Sequence, residues 1–103
     1  MSEKVQVQFR LTEETNEALE GHLEQLEWTR TQWLQQVLQE WILWRQEQDF
    51  EPTEIYSQPS HGLLRSGYIM LSTKEVVEEE AARHHCEIVD IYWTAIVRYM
   101  SHH

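Results

Sequence analysis

Apolar and polar residues alternate from Val5 to Leu11, with Val5, Val7, Phe9 and Leu11 set against Gln6, Gln8 and Arg10. Strand side chains point to opposite faces in turn, so this pattern predicts a short β-strand with one apolar and one polar face. A lone short strand does not stand by itself, and its partner is expected from a second copy of the chain. After Leu11 the period changes. Thr12 is a suitable helix N-cap, and Glu13 and Glu14 fall in the first turn, where the helix dipole favours anions. Ala18, Leu19, Leu23 and Leu26 then recur at helical spacing. Gly21 inside this helix costs about 1 kcal/mol relative to Ala, which suggests close packing against a neighbour. His22, beside Leu19 and Leu26, reads as a partly buried packing histidine.

A second helix signal follows at once. Thr29-Arg30-Thr31-Gln32 has the form of a capping box, with Trp28 and Trp33 placed as a hydrophobic staple. Trp33, Leu34, Val37, Leu38, Trp41 and Ile42 make a wide apolar stripe on a helix running to about Arg45. Residues 46–66 lose this periodicity. Pro52, Ser57, Pro59, Ser60 and Gly62 punctuate a linker or surface arm that Ile55, Tyr56, Leu63 and Leu64 could anchor.

Beyond the arm, Tyr68-Ile69-Met70-Leu71 forms a candidate strand. Ser72-Thr73-Lys74-Glu75 reads as another capping box, opening a helix through Val76, Val77 and Ala81. A last helix spans about Glu87 to Met100, its apolar face carrying Ile88, Val89, Tyr92, Trp93, Ile96, Val97 and Met100. The order strand, helix, helix thus recurs, with Leu11-Thr12 set against Leu71-Ser72. Identity between the two stretches is faint. In that alignment Ser66, Tyr68 and Met70 take the places of Gln6, Gln8 and Arg10, and they are poor base readers.

Composition sets the bounds. A chain of 103 residues makes one small domain, or a module with an extension. Its apolar fraction of 41 % supports a core without excess, and its five Trp suit a core or a subunit interface. No apolar run reaches the length of a membrane span, and the first residues lack a signal peptide's apolar stretch. With one cysteine, Cys86, a disulfide framework is excluded. A cytoplasmic location is expected. The net charge of −10 opposes phosphate binding, although the first ten residues hold Lys4 and Arg10 against Glu3 alone.

The polar strand face holds the residue types that read base edges in a major groove, where Arg pairs with guanine and Gln with adenine. Together, the strand Gln6-Val7-Gln8-Phe9-Arg10-Leu11, the capped helix after Thr12 and the run Trp28-Thr29-Arg30-Thr31-Gln32-Trp33-Leu34 resemble the ribbon-helix-helix family, the Arc, MetJ and CopG type of repressors. The resemblance covers residues 4–44. It implies a homodimer whose paired strands enter the major groove of double-stranded DNA. Gln6, Gln8 and Arg10 would read bases. Lys4, Thr29, Arg30 and Thr31 would hold phosphate, in keeping with the anion preference of a helix N-terminus. Val7, Phe9, Leu11, Trp33, Leu34, Val37, Leu38 and Trp41 would form the dimer core. Glu27 stands where the family often has the turn glycine.

Other chemistry is thinly represented. His84-His85-Cys86, with His102 and His103, does not present four ligands at metal spacing, and adjacent helical residues point about 100° apart. Cys86 lacks the third group and oxyanion loop of a nucleophilic centre. The three glycines form no phosphate-cradling loop. Glu78-Glu79-Glu80 reads as a solvated face, and Trp44 as the tryptophan most exposed. The expected fold is mostly α with a short N-terminal β-strand. It comprises a ribbon-helix-helix dimer over 1–45, the arm 46–66, and a C-terminal helical extension over 67–103 that is a candidate second, degenerate strand-helix-helix unit. The expected function is a DNA-binding transcriptional regulator, a repressor or an antitoxin. It needs no cofactor or metal and is not an enzyme; a protein partner could bind through 46–103. The alternative is an acidic interaction module of the same fold that does not bind DNA, an adaptor or a DNA mimic.

Overall fold

The computed structural model describes residues 3–28 and 33–102. In chain order the elements are β1 (Lys4–Leu11), α1 (Glu13–Leu26), α2 (Trp33–Glu47), β2 (Leu63–Met70), α3 (Leu71–Arg83) and α4 (Ile88–His102). The chain is mostly helical, with one two-stranded antiparallel sheet among the described residues. The predicted alternation and the Thr12 cap both appear. Val7, Phe9 and Leu11 are buried while Lys4, Gln6 and Gln8 are exposed, and Thr12 Oγ1 accepts a hydrogen bond from the Thr15 amide at 3.1 Å.

The partner of β1 is not a second copy. It is β2 of the same chain, in a register that sets Lys4 against Met70, Gln6 against Tyr68, Gln8 against Ser66 and Arg10 against Leu64. β2 also begins five residues before the predicted strand, inside the stretch read as an arm, and the connection shrinks to residues 48–62. Lost alternation explains why the sequence hid it. Arg65 and Gly67 occupy the inner face where apolar residues are expected. Arg65 is accommodated because its Nε donates to the buried Asn16 Oδ1 at 2.9 Å. Gly67 lets α2 approach closely: a Cβ there would sit 3.1 Å from Leu34 Cβ, tighter than an ordinary contact.

The two strand-helix-helix halves repeat in space. α1 closes on Glu27 in the left-handed conformation (φ 57°), with the Glu27 amide donating to Glu24 O and the Trp28 amide to Leu23 O. α3 closes the same way on His85 (φ 55°), with His85 donating to Ala82 O and Cys86 to Ala81 O. Both are Schellman closures built without glycine. Thr12 and Met70 begin the two hairpins and precede Glu27 and His85 by the same interval, so Thr12 corresponds to Met70 and not to Ser72. With this two-residue correction, buried positions coincide: Leu19 with Val77, Leu23 with Ala81, Trp33 with Ile91, Leu34 with Tyr92, Val37 with Ala95, Leu38 with Ile96 and Trp41 with Tyr99. The local pseudo-two-fold axis then passes through the Gln8–Ser66 pair.

The predicted Ser72 capping box is not a helix start. α3 already runs from Leu71, with Met70 as an N-cap that offers no side-chain hydrogen bond. Support comes from the other half instead. Gln35 of α2 accepts from the Met70 amide at 2.8 Å and donates to Thr73 Oγ1 at 3.0 Å, while the Leu71 amide donates to Glu3 O at 2.8 Å.

Val7, Phe9, Leu11, Trp33, Leu34, Val37, Leu38 and Trp41, assigned above to a seam between copies, are buried within the single chain. Phe9 meets Trp33 edge-on at 5.5 Å and Tyr92 of the second half at 6.4 Å. Full burial of such a side chain contributes about 1.5–3 kcal/mol. Two expectations fail in the helices. Gly21 is exposed, and a Cβ there would meet nothing within 4 Å. Glu80 is not part of a solvated face. It is 1 % exposed and accepts from Arg45 Nε at 2.7 Å, with Arg83 as a second partner and Arg45 fully buried. The Arg45 guanidinium lies 5.9 Å from the ring centres of Trp41, Trp44 and Phe50.

Candidate nucleic-acid interface

One face of the ribbon is buried by the helices, so the other is presented outward. Gln6 and Gln8 are exposed, and Arg10 is half-buried beside them. The structure therefore places the three predicted base readers on one row of one face. Lys4 extends the row and is exposed. Arg10 is the most constrained of the set: its amide donates to Gln58 Oε1 at 2.6 Å, and its Nη1 donates to Gly62 O at 3.0 Å. The second bond holds the guanidinium against the connection and leaves further N–H donors for another acceptor. Gly62 is held so close that a Cβ would lie 2.3 Å from Leu11 O, which explains why glycine stands at that turn.

The opposite strand contributes Leu64, Ser66, Tyr68 and Met70 to the same outer face. Leu64 is 50 % exposed and Tyr68 42 % exposed. These are large apolar groups in water, beside a strand whose outer row is amides and cations. Sequence reading passed over them because Leu64 fell in the arm and Tyr68 was dismissed as a poor reader.

Thr29, Arg30 and Thr31, the predicted phosphate anchors, lie outside the described residues, as does the rest of their capping box. Their counterparts at the start of α4 are Glu87, Ile88 and Val89. There the Glu87 amide donates to Asp90 Oδ2 at 3.2 Å, and the Gln58 amide donates to Asp90 Oδ1 at 2.9 Å. The amide end of α4 is already matched to the chain's own carboxylate, and the connection lies across it. Tyr56, next along the connection, hydrogen-bonds through its amide to Thr94 Oγ1 at 2.8 Å.

Elsewhere the chemistry is sparse. The Cys86 thiol is pushed above its usual value by burial, with Asp90, Glu80 and Glu87 adding to the effect. A reactive thiolate needs the opposite shift. Among the described residues no cluster of three His, Cys, Asp or Glu side chains could hold a metal ion, and none of the described helices is long and apolar enough to cross a membrane. His22 does pack as expected: its Nε2 lies 2.6 Å from Tyr99 Oη, and the two rings meet edge-on. Trp44 is half-buried under Arg98, whose guanidinium sits 3.5 Å from its ring centre, and Trp28 is the exposed one at 36 %. Comparison with protein-family models, with curated proteins and with solved structures returned no match.

Proposed function

We propose that the chain is a ribbon-helix-helix protein whose two halves are fused in one polypeptide, and that it binds duplex DNA as a transcriptional regulator by laying the ribbon in the major groove. The observation that carries this reading is the outward row of Lys4, Gln6, Gln8 and Arg10 on a two-stranded antiparallel ribbon. A ribbon of two strands is of a size the major groove admits, and Gln and Arg match adenine and guanine edges there. Burial of the apolar ribbon face by flanking helices supports the same reading.

Titration of the full chain onto a randomised duplex pool tests it. Binding is expected to weaken steeply as salt rises. Arg10→Ala is expected to weaken it at least tenfold while leaving the circular dichroism spectrum unchanged. Equal affinity for the two proteins would remove the ribbon from the proposal. A second reading, an acidic module that engages a basic protein, draws on the net charge of −10 and on the carboxylates at the start of α4. It predicts no DNA binding at any salt concentration.

A further inference from the structure

We infer that one copy of this chain reads a DNA site without two-fold symmetry, one strand of the ribbon by hydrogen bonds and the other by apolar contact with thymine methyl groups. The inference rests on the DNA-binding reading above and adds the class of site. Two identical strands related by a dyad present identical readers, so they select a palindrome. Here the scaffold keeps an approximate dyad while the reading face does not. About the Gln8–Ser66 axis, Gln6 corresponds to Leu64, and Arg10 to Tyr68. The buried helix pairs conserve apolar character across the same axis, whereas the residues on the outer ribbon face do not match.

The chemistry of the two strands follows. Gln6 and Gln8 each offer a donor and an acceptor for adenine, and Arg10 offers paired donors for guanine. Leu64 and Tyr68 have exposed carbon surface directly opposite Arg10 and Gln6. In the major groove the apolar feature available to such side chains is the thymine C5-methyl. Ser66, at the axis, accommodates either partner. At the start of α4 the Glu87 and Gln58 amides already donate to the Asp90 carboxylate, which opposes a phosphate there.

Selection of sites from a random duplex pool with the full chain decides the matter. The expected consensus has no dyad, carries adenine and guanine contacts on one side and thymine on the other, and binds one chain per duplex in sedimentation. Arg10→Ala should lose about tenfold to a hundredfold in affinity and relax preference on the first side only. Leu64→Ser with Tyr68→Ser should relax the thymine side only; both residues are exposed, and circular dichroism checks that the variant is folded. A palindromic consensus, or two chains per duplex, overturns the inference and leaves DNA binding standing. Loss of preference on both sides in either variant overturns it too. If no site is enriched, the DNA-binding reading falls, and this inference with it.

Discussion

The two halves of the chain build the same strand-helix-helix unit by different means. In the first half the instructions are local. β1 alternates, Thr12 caps α1 through its own hydroxyl, and acidic residues occupy the first turn. In the second half they come from a distance. β2 breaks its alternation at Arg65 and Gly67, and α3 starts without a side-chain cap of its own, relying on Gln35 and on the Glu3 carbonyl. The same succession of elements can therefore form where local signals are weak, provided the other half supplies the missing contacts.

The strongest way to break this division is at the buried contact between the halves. Arg45 of α2 and Glu80 of α3 are both hidden from water. Glu80→Ala leaves a buried guanidinium without its carboxylate, and we expect a loss of about 3–5 kcal/mol in urea unfolding. Replacing both members with apolar residues of similar size should recover most of that loss. If Glu80→Ala costs as little as an exposed ion pair, the halves are not held together there.

A sharper test sets the two kinds of cap against each other. Gln35→Ala removes both contacts to the start of α3 and should cost about 1–3 kcal/mol, with faster amide exchange at Met70 and the first turn of α3, far along the chain from the substitution. Thr12→Ala should cost about 1 kcal/mol, with faster exchange confined to α1. Exchange that spreads alike in both variants would erase the distinction.

Gly21 gives the reverse effect. Its site on α1 is exposed and open, so Gly21→Ala should stabilise the protein by about 0.5–1 kcal/mol. A destabilised variant would point to a neighbour packed against that position.

The last effect appears only in alkali, and it reports on the second half, because all four tyrosines lie beyond residue 50. Burial, with a contribution from Glu78, pushes the Tyr92 phenol up to about 12. The unfolded chain ionises its tyrosines near pH 10. The folded state thus holds a proton that the unfolded state releases. This contribution to stability is complete below about pH 10 and is lost as pH rises toward 12. Tyr92→Phe should flatten that part of the stability curve, followed by urea midpoints from pH 9 to 12.

Where local physics governs, the sequence was readable. The period-two strand, the Thr12 cap, the long apolar stripe of α2 and the outward row of Gln6, Gln8 and Arg10 all follow from neighbours within a few residues. What stayed hidden depends on partners far along the chain. Arg65 looked polar because Asn16 was not in view, Glu80 looked solvated because Arg45 was not, and β2 went unseen for lack of alternation. The alignment of the two strand-helix-helix stretches was misplaced by two residues, because Ser72-Thr73-Lys74-Glu75 imitates a helix start that Met70 already provides.

The connection 48–62, tied to α4 through Thr94 and Asp90, brings β2 back to β1 and so changes the order of the assembly reaction. Pairing β1 with a strand on another molecule would be second order in protein and would fail on dilution. Pairing it with β2 of the same chain, across residues 12–62, is first order, at an effective concentration on the order of millimolar, and the entropic cost of closing such a loop grows only slowly with its length. The ribbon should therefore be as complete at a few copies per cell as at crystallographic concentration. Its unfolding midpoint should not move with protein concentration.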